Sequence, residues 1–221
     1  MEGARRIAKI AKRNKVARFI HISSLNADPA PVGHMIRGGS QFLRSKYYGD
    51  LAVREEFPEA IIFRPSRMFG YHDSFFQHYM NRRNYLFRKM PLWNKGYGIY
   101  KQPVFNTDVA SGIINAIYEN ECVGKTIDAV GPRRYEQHEL IKFLMRSIAR
   151  GEKQLYEISE LRTSLFYQFI TWFSEQTFKY PTRPIEMLET VSACRPAYDE
   201  PTLAIGQRNA RLTCSPSTRN A

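Results

Sequence analysis

Nowhere in the 221 residues is there an uninterrupted run of about 18 apolar side chains, the length a helix needs to cross a bilayer. Any membrane contact is therefore expected to be peripheral. Cysteine is scarce: Cys122, Cys194 and Cys214 are odd in number and show no C-x-x-C spacing, which argues against a disulfide framework or a zinc site and favours a reducing compartment. Internal repeats are lacking too. Acidic residues are in deficit, 21 Asp and Glu against 33 Lys and Arg, and the resulting formal charge of +12 should attract phosphates, nucleic acid or an anionic membrane surface without choosing among them. What is present, 43% hydrophobic and 24% charged residues, is ordinary globular composition and excludes a fibre or a wholly disordered chain.

The Arg-rich start MEGARRIAKIAKRNK superficially suits a mitochondrial transit peptide. Ala4, Ile7, Ala8, Ile10 and Ala11 recur at helical spacing, however, and the segment runs straight into the strand-like VARFIHIS, so a structural helix is the better reading. Val16 to Ser23 reads as a buried parallel strand delivering Ser23 and Ser24 at its C-terminal end, where open α/β sheets bind ligands. A Pro- and Gly-rich loop follows. Ser40 to Phe57 then has helical periodicity through Leu43, Tyr47, Leu51 and Val53, and Pro58 closes it.

Ala60 to Phe63 forms a second buried strand, which Arg64, Pro65 and Ser66 leave toward a loop containing Gly70; two strands flanking one helix make a βαβ unit. Tyr71 to Tyr100 reads as a helix and a Gly-punctuated loop. Asp108 opens an amphipathic helix through Val109, Ile113, Ile114 and Ile117, Thr126 to Val130 is a third strand, and Tyr135 to Ala149 a helix with Leu140, Ile141, Leu144 and Ile148 inward. Beyond Gly151 the character changes. Leu161 to Tyr180 concentrates Phe166, Phe169, Ile170, Trp172, Phe173 and Phe178, suited to lying on a surface or packing on its own domain. From Ala197 the chain is polar and aperiodic, as expected of a disordered tail.

Four blocks in fixed order, RFIHISSLNA, SKYYGDLAVREEFPEAIIFRPSRMFG, KQPVFNTDVASGIINAIY and GKTIDAVGPRRY, closely resemble the atypical extended short-chain dehydrogenase family. More narrowly they resemble its branch of accessory subunits of mitochondrial respiratory complex I, over roughly Glu2 to Glu189. The resemblance implies an α/β fold: the C-terminal half of a Rossmann-type doubly wound parallel sheet with a mostly helical C-terminal region. It divides the chain into a partial NAD(P)-binding domain (1–150), a helical aromatic region (151–196) and a tail (197–221). It further implies a structural NADPH, other complex I subunits as partners, peripheral contact with the anionic inner mitochondrial membrane on the matrix side, and no nucleic acid.

In the active family a strand-end serine polarises the substrate carbonyl, and a Tyr four residues before a Lys supplies the proton. Residues i and i+4 share a helix face, so the ammonium can lower the phenol pKa while holding the nicotinamide ribose. Here the corresponding pair is Phe42 and Lys46. The strings Tyr85/Lys89 and Tyr97/Lys101 have the spacing but not the helix, and the fourth residues after Tyr47 and Tyr48 are Leu51 and Ala52. By the resemblance Lys46 matches the ribose-binding lysine, Ser23 or Ser24 the hydroxyl beside the nicotinamide, and Arg64, Pro65 and Ser66 the loop passing its amide; ordinary strand-end capping is the plainer role for the serines. The expected function is thus a non-catalytic accessory or assembly subunit. An active NADPH-dependent reductase or epimerase is the alternative that Phe42 opposes, and a nucleic-acid binder lacks any motif. No G-x-G-x-x-G occurs, although the family places its pyrophosphate on such a turn, so an N-terminally incomplete form is expected, with the adenine end of the site missing.

Overall fold

Alanine at positions 4, 8 and 11 lets the first helix, α1 (Glu2–Arg13), lie close against its neighbours: Ala8 and Ala11 are buried with Val53, Phe57 and Ala60. The apolar set of this helix splits, for Ile7 and Ile10 face outward at 60% and 58% exposure. The computed structural model describes residues 2–31, 40–80, 89–149 and 157–160, together with Phe169 and Phe173. The remaining helices are α2 (Gln41–Glu56), α3 (Ser74–Met80), α4 (Asn106–Tyr118) and α5 (Gln137–Ala149). The strands in chain order are β1 (Ile20–Ile22), β2 (Ile61–Pro65), β3 (Met68–Phe69), β4 (Lys89–Leu92), β5 (Tyr100–Lys101), β6 (Val104–Phe105), β7 (Thr126–Ala129), β8 (Tyr135–Glu136) and β9 (Glu157–Glu160).

The organising sheet is parallel with order β1-β2-β7, Ile20 opposite Ile61 and Phe63 opposite Ile127. β2 is its centre, and Ile61, Ile62 and Phe63 are buried without alternation, as a strand covered on both faces requires. A first core joins this sheet to α4 through Phe63, Val104, Val109, Ala116, Cys122 and Ile127. A second lies between α3, β4 and α5, around Phe75, Tyr79, Met90, Leu92 and Ile141. Short two-stranded pairings, β3 with β6, β4 with β9 and β5 with β8, bind the later segments to this framework.

Several expectations change in extent. The first strand is three residues long rather than running from Val16, because Lys15 turns left-handed (φ 52°) and the Val16 amide bonds back to Ala11. Pairing begins only where the Phe19 carbonyl accepts from Ile61. The second strand runs two residues further than read, so Arg64 and Pro65 belong to β2, with Pro65 opposite Ala129. The Ser40–Phe57 helix is matched closely: Ser40 Oγ accepts from the Leu43 amide as N-cap and Phe57 caps the other end, just before Pro58. Tyr135 and Glu136 pair with β5 before α5 starts. Within the region expected to be helical, residues 157–160 are a strand against β4, since Ile158 packs on the second core; Phe169 and Phe173 are helical, with ring centroids 6.2 Å apart. The rest of 161–180 and the tail lie outside the described residues.

Candidate functional site

Parallel strands that end together leave their last backbone groups and the following side chains around one crevice. At the C-terminal ends of β1 and β2 that crevice is a cavity of about 420 Å³. The chain leaving β1 stays stitched to β2, the Ser23 amide donating to Phe63 O at 2.7 Å and the Leu25 amide to Pro65 O at 3.1 Å, which sets Ser23 and Ser24 in the cavity wall. The chain leaving β2 is fixed equally firmly: the Ser66 amide donates to Ala129 O at 2.8 Å and its hydroxyl to Gln102 O at 2.6 Å.

α2 supplies the opposite wall with one face. Phe42 and Lys46, one turn apart, both line the cavity. The Lys46 ammonium sits 5.6 Å from the centre of the Phe42 ring, a cation–π distance, and reaches the Ile22 carbonyl at 3.5 Å. One further turn along, Asp50 is 3% exposed and takes two hydrogen bonds on one oxygen from Arg64, Nε at 3.0 Å and Nη2 at 2.9 Å. His21 Nε2 lies 3.4 Å from its other oxygen. Burial alone would raise the Asp50 carboxyl; His21, Ser23 and the Arg64 charge together outweigh it and hold the group below its ordinary value of 3.8. Neither His21 Nε2 nor Ser23 Oγ meets full hydrogen-bond geometry, so their effect is a field at short range rather than a formed bond.

Five of the six expected binding residues, Ser23, Ser24, Lys46, Pro65 and Ser66, therefore share one cavity. Arg64 stands apart, its guanidinium committed to Asp50. The two decoys separate as well: Tyr85 is outside the described residues, and the Tyr97 hydroxyl pairs with His138 Nε2 at 2.8 Å, while Lys101 joins the cavity wall from β5. Sequence reasoning missed Asp50, although the Phe42, Lys46, Asp50 spacing marks a single helix face. It also missed the far wall of the cavity, where Arg67, His72, Asp73, Lys101 and Asn106 converge from segments up to 39 residues apart. Among the described residues no group of three or more His, Cys, Asp or Glu could hold a metal.

The chain matches no protein-family model. It is 44% identical over 140 residues to mouse "NADH dehydrogenase [ubiquinone] 1 alpha subcomplex subunit 9, mitochondrial", covering 63% of this chain and 35% of the relative. It is 30% identical over 155 residues to the Neurospora crassa "NADH-ubiquinone oxidoreductase 40 kDa subunit, mitochondrial", covering 70% and 38%. The chain thus spans little more than a third of the length of these curated relatives. Among solved structures it is similar to Bacillus anthracis dTDP-glucose 4,6-dehydratase in complex with NAD and to dTDP-4-dehydrorhamnose reductase of the same organism in complex with NADP. Each has a TM-score of 0.54 and 17% identity over 72% of this chain, covering 53% and 56% of the respective solved chains. The described residues therefore have a Rossmann-type α/β fold, and over 140 residues the chain is similar in sequence to the mouse complex I alpha subcomplex subunit 9.

Proposed function

We propose that this chain acts as a non-catalytic accessory or assembly subunit of mitochondrial respiratory complex I, at the matrix side of the inner membrane, built around a structural NADPH site. The observation that carries the reading is Phe42: it lines the cavity beside Lys46, Ser23 and Ser24, at the helix position where an active short-chain dehydrogenase needs its tyrosine. NADPH, when bound, supplies hydride-donor chemistry. Phe42 has no ionisable proton to accompany it, and no tuning of its surroundings creates one, so the loss is the general-acid factor of about 10² to 10⁴.

The residues present fit the nicotinamide end of such a cofactor. Ser23 Oγ is buried in the cavity wall without a completed hydrogen bond, Ser24 and Pro65 flank it, and Lys46 is tethered where it can bond a ribose hydroxyl. Ser66 has already donated its proton and offers only an acceptor, and Arg64 contributes by fixing Asp50 and hence the α2 face. The pyrophosphate has no partner of its usual kind in the chain, which contains no G-x-G-x-x-G. Contacts with other complex I subunits and with an anionic membrane surface agree with the +12 charge and the similarity to named complex I subunits.

The test is expression of the tagged chain in mitochondria followed by native electrophoresis, with NADPH oxidation measured on the purified protein. Co-migration with complex I and no carbonyl-dependent NADPH consumption are expected. A chain that stays free of the complex, or that turns over NADPH with Phe42 in place, overturns the proposal.

A further inference from the structure

Residues 2–15 hold six of the 33 Lys and Arg and one of the 21 acidic residues, and all but the last two of them form α1. Glu2 answers Arg6 across one helical turn at 3.3 Å, and Glu55 on α2 answers Arg5 at 2.5 Å. Among the described residues Lys9, Lys12, Arg13 and Lys15 enter no ion pair, and all four are exposed. Cations in the last turn are what a helix dipole favours, which accounts for Lys12 and Arg13 but not for Lys9.

The apolar residues of α1 divide by size. Ala8 and Ala11 are sunk against Val53, Phe57 and Ala60, while Ile7 and Ile10 stand in solvent at 60% and 58% exposure. Leaving the larger side chains outside forgoes most of the apolar surface the helix could bury. Residues three and four apart share a helix face, so Ile10 neighbours Ile7, Arg6 and Arg13, and Arg13 neighbours Lys9. The outer surface is thus a short row of isoleucine edged by long cationic side chains. Its alanine side fixes α1 to α2, so this surface is presented as a preformed helix and binding has no helix to order.

We propose that the outer face of α1 lies on an anionic bilayer surface, with Ile7 and Ile10 entering the headgroup boundary and Arg6, Lys9 and Arg13 reaching lipid phosphates. This names the face that makes the membrane contact proposed above and rests on that reading. The convex side of one helix offers no groove in which a partner protein could seat the isoleucines, and a nucleic acid would draw on the cations while leaving the isoleucines in water. A bilayer uses both. Apolar side chains sink to the acyl boundary, the alkyl stems of Lys and Arg run beside them, and their charges return to the phosphates.

The test is sedimentation of the full chain with vesicles of phosphatidylcholine alone and of equal parts phosphatidylcholine and phosphatidylglycerol. Binding to the anionic vesicles only, weakened by salt, is expected. Each cation near such a surface is worth roughly a fivefold change in partitioning, so Lys9→Gln with Arg13→Gln should weaken binding at least about tenfold. Ile7→Gln with Ile10→Gln should weaken it at least about fivefold. Lys142→Gln with Arg146→Gln, which removes the same charge from exposed positions on α5, should leave it within about twofold. All six side chains are exposed, so each variant should unfold at the wild-type temperature. A wild-type chain that binds neither vesicle overturns both this inference and the membrane contact it rests on. Binding that persists in the α1 variants, or that falls as far in the α5 control, overturns the face alone. A cation pair that also governs binding to duplex DNA, with the isoleucine pair silent in both assays, makes the patch a general polyanion site and overturns the proposal.

Discussion

Replacing Asp50 with asparagine removes the charge that α2 lends to β2 while keeping the shape of the side chain. In the native chain the carboxylate is 4% exposed and the Arg64 side chain 14%, with two bonds of 2.9 and 3.0 Å between them. Taking away one partner strands the other, which for a buried pair costs about 3 to 5 kcal/mol. Asparagine still offers one acceptor oxygen and Arg64 keeps some access to water, so about 3 kcal/mol is expected, a fall in Tm of roughly 6 to 12 °C for a domain of this size. The double variant Asp50→Asn, Arg64→Met should recover at least half of that, because no guanidinium remains to be satisfied. The folded-state pKa of Asp50 is depressed, so its contribution is present above the unfolded value of about 3.9 and is lost as pH falls through the lower folded value. The stability gap between wild type and Asp50→Asn should accordingly be constant near neutrality and narrow below about pH 4. Urea unfolding across pH 3 to 7 measures it, and a loss under about 1 kcal/mol at pH 7, or a gap that widens on acidification, refutes the reasoning.

Other perturbations test other joints. Arg54 donates to the carbonyls of Ala60 at 2.9 Å, Pro58 at 3.3 Å and Gly124, and to Thr126 Oγ1 at 3.0 Å, so Arg54→Met leaves several acceptors unserved and should cost about 2 to 4 kcal/mol in urea unfolding. A Cβ at Gly131 would overlap the Pro103 carbonyl oxygen, a backbone atom that cannot step aside, and Gly131→Ala should lower Tm by an amount equivalent to at least about 3 kcal/mol. Lys46→Met should change stability by no more than about 0.5 kcal/mol, because its one carbonyl contact is long, yet abolish whatever NADPH affinity fluorescence titration detects in the wild type. Burial pushes the Tyr79 phenol up to about 12, against smaller opposing effects of Arg67 and Gln137. Stability held below the unfolded tyrosine value of about 10 should therefore be lost as pH rises toward about 12, read by tyrosinate absorbance appearing together with unfolding.

Periodicity and punctuation alone were enough for the βαβ unit. Ser40, Pro58 and the continuous apolar run Ala60–Phe63 are local signals, because a cap needs a hydroxyl at one place, proline cannot continue a helix, and a strand covered on both faces does not alternate. The missing tyrosine was legible for the same reason: residues 42 and 46 share a face of any helix. What the sequence could not show was which apolar residues face inward on α1, since alanines and isoleucines have the same period and only the tight packing against Val53 and Phe57 chose the smaller ones. Nor could it show that Arg64 answers Asp50 from another element, or that Arg67, Lys101 and Asn106 line one cavity with Lys46. Those juxtapositions arise from sheet order and loop closure over dozens of residues, and no local propensity records them. Chain chemistry by itself determined that position 42 offers no proton; tertiary structure alone decided that the space in front of it is a recess shared with Lys46, Ser23 and Ser24, because a cavity exists only when separate segments are brought to one place.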